Sequence, residues 1–199
     1  LKEIHIVGGL HPDWKFEKYL EIVREVSKAA PDAHIKAFTA VEIDWFSQIS
    51  GKSVSKVISD LMNAGVDALP GGGAEIFSPE VRKKICTPKT TGDSWLEIHR
   101  EAHKQGLPSN ATILYGHLES YDDVIDHVSR LRDLQDDTNG FFAFIPVLFQ
   151  PFNTRLSKVK PFPFSYDLKI HSLARLYLDN FPYIKACLLY TSDAADETC

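Results

Sequence analysis

The sequence is poor in cysteine and has no long hydrophobic run, and these two absences exclude several classes of protein. Among 199 residues there are three cysteines, Cys86, Cys187 and Cys199, which are too few and too widely spaced for a disulfide framework or a zinc site. Such cysteine usage is typical of the reducing cytoplasm, where we predict that the protein acts. The longest apolar run, residues 141–149, is far too short to span a membrane, and the start of the chain has no signal-peptide character.

Basic charge and nucleotide-phosphate motifs are also scarce. The net charge is −5 and the basic residues are scattered, which argues against a nucleic-acid surface. Neither a Gly-x-x-x-x-Gly-Lys-Ser/Thr phosphate loop nor a Gly-x-Ser-x-Gly nucleophile elbow occurs in the sequence. We therefore expect a small-molecule ligand, and neither a nucleic acid nor a membrane as partner.

Short apolar runs alternate with segments of helical periodicity along the chain. We predict strands at 3–7, 35–38, 66–69, 111–115 and 141–149, and the start of a sixth at 183–186. Between the second and third strands we predict one helix, around residues 54–61. This alternation implies parallel strands joined by right-handed crossovers.

Glycines and polar residues recur after strand upon strand, which is typical of the βα loops at one mouth of a barrel. An open doubly wound sheet is the alternative, but it usually carries its glycine-rich fingerprint after the first strand alone. Five or six strands do not close an eight-stranded barrel. We therefore predict an α/β fold, an incomplete (β/α)8 TIM-type barrel that is truncated at both ends.

The last residues differ in character from the rest. The segment from Cys187 to Glu197 resembles one reading frame of a transposase adaptor used in sequencing libraries. We predict that residues 1–186 form the partial barrel domain and that residues 187–199 are a non-native tail. A genuine polar tail is the alternative.

Two glycine-rich segments follow predicted strands. Gly8 and Gly9 leave backbone groups open to a ligand, although a tight turn would also explain them. Gly71-Gly72-Gly73 opens space beside Glu75, whose carboxylate could accept hydrogen bonds from ribose hydroxyls or from an ammonium group. A flexible connection with a solvated glutamate is the alternative for this second segment.

The fourth predicted strand brings more polar groups to the same mouth. Its alternation places Thr112, Leu114 and Gly116 on one face, with His117 and Glu119 beyond its end. A histidine at a strand end is more often structural than catalytic. At the other end of this strand, the residue pair 109–110 is expected to serve turn chemistry.

One helix carries two histidines at a spacing that permits metal chelation. Ser94-x-x-Glu97 is a capping-box pattern that predicts the start of this helix. His99 and His103 are spaced i, i+4, but the His-Glu-x-x-His signature is absent. We therefore interpret them as surface or helix-packing residues.

Four motifs recur at the strand ends of this sequence. They are Gly8-Gly9-Leu10-His11-Pro12, Ala37-Phe38-Thr39-Ala40-x-Glu42-Ile43, Leu69-Pro70-Gly71-Gly72-Gly73-Ala74-Glu75-Ile76-Phe77 and Ser109-Asn110-Ala111-Thr112-x-Leu114-Tyr115-Gly116-His117. Taken together, these motifs resemble one subfamily of radical S-adenosylmethionine (SAM) enzymes. This subfamily contains the aminofutalosine synthases, the cyclic dehypoxanthine futalosine synthases and the enzymes that build the deazaflavin chromophore.

Within the subfamily, most features are similar to those of the aminofutalosine synthases. These features are the Gly-Gly-Gly-Ala-Glu-Ile-Phe loop, the helix with its His-Arg pair at residues 99–100, and the Ser-Asn pair at 109–110. Gln150 departs from this pattern, because a histidine is expected before Pro151, and glutamine is more similar to the cyclising synthases.

The resemblance implies a radical SAM transferase of menaquinone biosynthesis. Such an enzyme uses a 4Fe-4S cluster, held by a Cys-x3-Cys-x2-Cys loop after the first strand, and a one-electron reductant such as flavodoxin or ferredoxin. The 5′-deoxyadenosyl radical from SAM adds to 3-[(1-carboxyvinyl)oxy]benzoate and gives 6-amino-6-deoxyfutalosine. No stretch of this sequence has the cluster spacing. We therefore predict that the chain begins after the cluster loop and is inactive by itself.

The resemblance also implies roles for individual residues. Gly8 and Gly9 match the element that contacts the methionyl amine of SAM, and Glu75 lies near its ribose or amine. The adenosine is expected to meet Thr112, Leu114 and Gly116, and the substrate His117, Glu119 and Gln150. The alternatives are the two other enzymes of the subfamily, or a cluster-free barrel that binds a nucleoside or scaffolds a partner.

Overall fold

The structure, a computed structural model, describes residues 2–86, 90–160 and 162–186. Within these residues the strands are β1 (Glu3–Ile6), β2 (His34–Ala37), β3 (Ser109–Tyr115), β4 (Phe141–Leu148) and β5 (Tyr183–Ile184). The helices are α1 (Phe16–Ala29), α2 (Ala40–Ser50), α3 (Val54–Ala64), α4 (Pro79–Ile85), α5 (Gly92–Lys104), α6 (Tyr121–Thr138) and α7 (Phe164–Tyr177).

All strand pairs are parallel, as predicted. β1 pairs with β2, and β4 lies between β3 and β5. Ala68 and Leu69 join the two groups, because Ala68 bridges to Lys36 of β2 and Leu69 bridges to Ser109 of β3. The strand predicted at 66–69 is therefore reduced to two bridging residues, and Pro70, which has no backbone N–H, follows at once. The strands still follow one another in sequence order, as in the wall of a barrel.

Two helices connect β2 to the bridging residues, where the sequence predicted one. The predicted helix is present as α3. The helix that the sequence analysis missed, α2, begins at a capping box in which Thr39 and Glu42 exchange hydrogen bonds. It ends at Gly51, whose φ of 68° is left-handed and separates it from α3. The apolar positions of α2 recur less regularly than those of α3, so the capping box was the better signal.

The start of α5 also differs from the prediction. Thr91 is its N-cap, because the Thr91 hydroxyl accepts a hydrogen bond from the backbone N–H of Ser94. Ser94 therefore lies in the first turn of the helix. A threonine three residues before a serine carries the same cap chemistry, and the sequence pattern alone did not separate the two.

The helices bury their apolar sides against this parallel wall. Trp95 of α5, Tyr115 of β3 and Phe141 of β4 are among the largest side chains that are fully buried. No helix in the described part of the chain is long and apolar enough to cross a membrane. The tail predicted at residues 187–199 lies outside the described residues and stays a prediction.

Candidate active site

A cavity of about 400 Å³ lies where β3 and β4 end, on their carboxyl side. Two of the predicted cofactor residues, Glu75 and Leu114, line it together with Phe149. Its remaining wall includes Lys84 and Arg155, which the sequence analysis did not single out. The cavity has the size of a small-molecule site and combines apolar walls with a few charged groups.

The glycine-rich loop beside this cavity is held tightly against β3. A Cβ atom on Gly71 would lie 2.7 Å from the carbonyl oxygen of Asn110, so only glycine fits there. The Thr112 hydroxyl donates a hydrogen bond of 2.6 Å to the Gly71 carbonyl, and the Trp95 indole N–H donates one of 3.2 Å to Gly72. Thr112 thus fixes the loop, and a flexible connection is not what the structure shows.

Arg82 of α4 holds the far side of the same loop. Its guanidinium group is buried, with the residue 7% exposed, and it donates hydrogen bonds to four backbone carbonyls. These carbonyls belong to Gly73, Ala74, Ile76 and Thr90. The sequence analysis missed Arg82, because an arginine among lysines in a short helix resembles an exposed residue.

Glu75 has an unusual backbone conformation, with a φ of 47°. A left-handed backbone is strained for a residue other than glycine and is often found at ligand sites. The Glu75 carbonyl accepts a hydrogen bond of 2.8 Å from the backbone N–H of Leu114, which ties the loop to β3. Glu75 and Leu114, both predicted to contact the cofactor, are therefore neighbours in the structure.

Gly8 is fixed by a residue that the sequence analysis named only as part of a motif. The Glu42 carboxylate, in a residue that is 3% exposed, accepts a hydrogen bond of 2.8 Å from the Gly8 backbone N–H. Its other oxygen accepts hydrogen bonds from the backbone N–H and the hydroxyl of Thr39, at 2.7 and 2.9 Å. A Cβ atom on Gly9 would meet nothing within 4 Å, so this side of the turn is open. The capping-box spacing was the signal for Glu42.

The end of β3 is closed by the pair of residues predicted to face the substrate. The Glu119 carboxylate accepts hydrogen bonds from the backbone N–H groups of Gly116 and His117. The His117 Nε2 atom donates to the Leu114 carbonyl at 2.9 Å, and the side chains of His117 and Glu119 are both 0% exposed. In the structure, these two side chains hydrogen-bond the backbone at this strand end. Their contact with a substrate stays a prediction.

Gly116 and Gln150 complete the set of predicted residues. Gly116 has a φ of 85°, and a Cβ atom there would lie 2.8 Å from the Leu148 side chain. Glycine is therefore required at this position by the backbone and by packing. Gln150 follows β4 and is exposed. The structure thus places the predicted cofactor and substrate residues at the carboxyl ends of β1, the bridging residues, β3 and β4.

The two histidines of α5 lie at the opposite end of β3. His99 and His103 are buried, which confirms helix packing and excludes the surface alternative. Both rings hydrogen-bond the Ser109 hydroxyl, at 2.7 and 2.8 Å, and His103 also contacts the Thr138 hydroxyl at 2.8 Å. The turn chemistry expected at residues 109–110 is therefore wrong for Ser109, which is part of a buried polar network.

Burial keeps three histidines neutral. It lowers the pKa of His99 well below 6.5, that of His103 to about 4 and that of His127 to about 3. The nearby Arg100 lowers the pKa of His103 further. The His127 Nε2 atom donates a hydrogen bond of 2.9 Å to the Thr112 carbonyl. These rings are structural donors and acceptors at neutral pH.

The described residues do not fit an iron–sulfur cluster. Cys86 is the one cysteine among them, and they contain no group of three or more histidine, cysteine or acidic side chains that could hold a metal ion. The cavity does fit a nucleoside in its chemistry, because Leu114 and Phe149 offer apolar contact and Glu75 a carboxylate.

Comparisons with known proteins agree with this geometry. A family model described as the radical SAM superfamily matches residues 1–131. The chain is 49% identical over 189 residues, 93% of its length, to the aminodeoxyfutalosine synthase of Thermus thermophilus. It is 41% identical over 179 residues, 88% of its length, to the 5-amino-6-(D-ribitylamino)uracil–L-tyrosine 4-hydroxyphenyl transferase of Methanopyrus kandleri.

The chain spans about half the length of the curated relatives it matches, 51% of the first protein and 48% of the second. Among solved structures, methylornithine synthase matches with a TM-score of 0.68 at 18% identity. This match covers 91% of the chain and 49% of that structure, and it concerns the fold alone. The predicted α/β fold, an incomplete barrel, is confirmed.

Proposed function

The chain belongs to the radical SAM superfamily, and from this premise we propose that it forms part of an aminofutalosine synthase of the cytoplasm. In this proposal, the complete enzyme adds the 5′-deoxyadenosyl group of SAM to 3-[(1-carboxyvinyl)oxy]benzoate and forms 6-amino-6-deoxyfutalosine for menaquinone synthesis. The observation that carries the proposal is 49% identity, over 93% of the chain, to the aminodeoxyfutalosine synthase of Thermus thermophilus. A one-electron reductant such as flavodoxin or ferredoxin is its proposed protein partner.

The cluster ligands belong, in this proposal, to polypeptide outside this chain. The described residues supply no set of thiolates for a 4Fe-4S cluster. We therefore assign this part of the protein to the binding of SAM and substrate.

For SAM, the carboxyl ends of three strands offer complementary groups. The open backbone at Gly9 is proposed to contact the methionyl amine, while the Glu42 carboxylate holds Gly8 in place. The Glu75 carboxylate is proposed to accept hydrogen bonds from the ribose hydroxyls, and Leu114 to pack against the adenosine. Thr112 acts on the ligand through the loop that it holds.

Water exclusion is the second task of these residues. An adenosyl radical must be kept from side reactions, and closed apolar walls do this by removing solvent. Leu114 and Phe149 form such walls in the cavity. The buried side chains of His117 and Glu119 fill the space next to the end of β3, and Gly116 lets the backbone turn there. Gln150, exposed after β4, is proposed to contact the substrate from the rim.

The test uses the complete gene product, with its flanking sequence recovered. The enzyme is reconstituted with iron and sulfide under anaerobic conditions and is given SAM, a reductant and 3-[(1-carboxyvinyl)oxy]benzoate. We expect a product with the mass of 6-amino-6-deoxyfutalosine. Residues 1–199 alone serve as a control and are expected to give no turnover. A complete enzyme without that product, or an active isolated chain, would contradict the proposal.

Gln150 favours one second candidate, the cyclic dehypoxanthine futalosine synthase. Glutamine before Pro151 is more similar to the pattern of the cyclising synthases than to that of the aminofutalosine synthases. The same mass spectrometry separates the two, because only the aminofutalosine synthase joins the adenosyl group to the benzoate. A recovered gene without a Cys-x3-Cys-x2-Cys motif upstream of Leu1 would instead support a cluster-free, nucleoside-binding barrel.

A further inference from the structure

Two cationic side chains line the cavity at the strand ends without an ion pair. Lys84 lies at the end of α4, and Arg155 lies in the segment that follows β4. Neither forms an ion pair with any residue of the described part of the chain. The adjacent Lys83 differs, because its ammonium group pairs with Glu80 at 2.7 Å. Cations that line a cavity and remain unpaired are available to an anionic ligand.

His117 and Glu119, which were predicted to contact the substrate, are not suited to bind an anionic ligand. The side chains of His117 and Glu119 are fully buried, and a carboxylate such as Glu119 would repel an anion. In the cavity itself, Glu75 is the acidic residue, and Lys84 and Arg155 together outweigh its charge. The cavity therefore favours ligands with negative charge.

The apolar walls of the cavity are suited to an aromatic ring. Phe149 and Leu156 contribute apolar surface in addition to Leu114, which the proposed function assigns to the adenosine. Aromatic ligands pack against such surfaces, and carboxylates are bound by an arginine through two parallel hydrogen bonds or by a lysine as a point charge. An aromatic ligand with two carboxylates would use both features.

We propose that Lys84 and Arg155 bind the two carboxylates of an aromatic dianionic substrate in this cavity. The inference rests on the proposed function, whose benzoate substrate carries one carboxylate on the ring and one on the enol ether. It assigns substrate recognition to residues outside the motifs of the sequence. Two cations for two carboxylates also predict selection against monocarboxylates.

The test compares matched charge removals in the complete enzyme. Lys84→Gln and Arg155→Gln remove the two cavity charges, while Lys83→Gln and Lys158→Gln remove charges on the same segments that do not line the cavity. We expect KM for the benzoate to rise about tenfold in each of the first two variants, the size of one lost hydrogen bond to a charged group. KM in the two control variants should stay within about twofold, as for exposed surface charges.

A binding experiment separates this inference from the proposed function. Calorimetry measures Kd for 3-(carboxymethoxy)benzoate, a stable dianion, and for 3-methoxybenzoate, its monoanionic counterpart. We expect the wild-type enzyme to prefer the dianion, and each cavity variant to lose most of that preference. Salt should weaken dianion binding in the wild-type enzyme more than in the variants.

The outcomes are distinct. If the wild-type enzyme binds the dianion through Lys84 and Arg155 but does not convert the benzoate, the proposed function fails and the anion site stands. If the benzoate is converted and both variants keep the wild-type KM and Kd, the anion site is wrong and the function stands. Equal losses in the control variants, or no dianion binding by the wild-type enzyme, would also overturn the inference.

Discussion

The two ends of β3 engage their neighbouring side chains in different ways. At the amino end, the Ser109 hydroxyl is shared by His99 and His103, and all three residues are buried. At the carboxyl end, Leu114 opens onto a cavity that Lys84 and Arg155 also line. A cavity of about 270 Å³ also reaches Ser109 at the amino end, but neither His99 nor His103 lines it, and the Ser109 hydroxyl is already bonded to both rings.

The difference follows from how each end satisfies its polar groups. At the amino end, the Ser109 hydroxyl pairs with His99 and His103, and burial keeps both histidines neutral. The carboxyl end satisfies the loop backbone through Arg82 and Thr112, while Lys84 and Arg155 line the cavity and form no ion pair with the described residues. Parallel α/β folds bind their ligands at this carboxyl end, because the loops there are not needed for packing.

The largest effect is expected at the amino end, from Gly140→Ala. A Cβ atom on Gly140 would lie 2.0 Å from the His103 ring, which is held by Ser109 and Thr138. We expect the free energy of unfolding to fall by about 3 kcal/mol or more, as for severe overpacking. Urea denaturation measures this change. Gly9→Ala, with nothing within 4 Å of its Cβ, is the control and should change stability little. Equal stability of the two variants would contradict the packing described for His103.

A smaller effect is expected at the carboxyl end, from Arg82→Met. This change leaves the carbonyls of Gly73, Ala74 and Ile76 without their buried donor. We expect a loss of about 2 kcal/mol in the free energy of unfolding, and faster hydrogen exchange confined to the glycine-rich loop. Arg24→Met, which removes an exposed ion pair with Glu17, should cost less than about 0.5 kcal/mol. Unchanged exchange in the loop would show that Arg82 does not hold it.

The third effect is a slope of stability with pH, again at the amino end. Because the pKa of His103 is lowered from 6.5 to about 4, the unfolded chain binds a proton that the folded chain does not. The stability that this histidine contributes is complete above about pH 6.5 and is lost as the pH falls towards 4, by up to about 1.4 kcal/mol per pH unit. His103→Gln should flatten the pH dependence of the urea midpoint over this range. An unchanged pH dependence in His103→Gln would contradict the burial described for this histidine.

At the carboxyl end of the strands, the sequence predicted those positions where backbone chemistry dictates the residue. The glycines at 71, 72, 73 and 116, and the motif order along the chain, indicated strand ends open to a ligand. The structure adds a reason that the pattern does not contain, because Gly71 is required by the close approach of Asn110. It also shows that His117 and Glu119, adjacent in sequence to these glycines, point into the protein.

Other residues could not be found from the sequence, because their role depends on distant partners. The buried guanidinium group of Arg82 has four carbonyl partners, three in the glycine-rich loop and one at Thr90. Lys83 and Lys84 are adjacent and identical in type, yet one pairs with Glu80 and the other lines the cavity. The direction of a long side chain is set by its surroundings after folding, and no local pattern encodes it.

The sequence by itself determined the parallel α/β architecture and the family. The architecture follows from periodicity, and the family follows from motifs in which glycine recurs, whose lack of a Cβ atom has the same consequence in any context. Only the tertiary structure decided which polar residues are buried and which face the cavity. Burial and charge pairing depend on contacts between residues far apart in the chain, such as Ser109 with His99, or Arg155 with the cavity formed at Leu114 and Glu75.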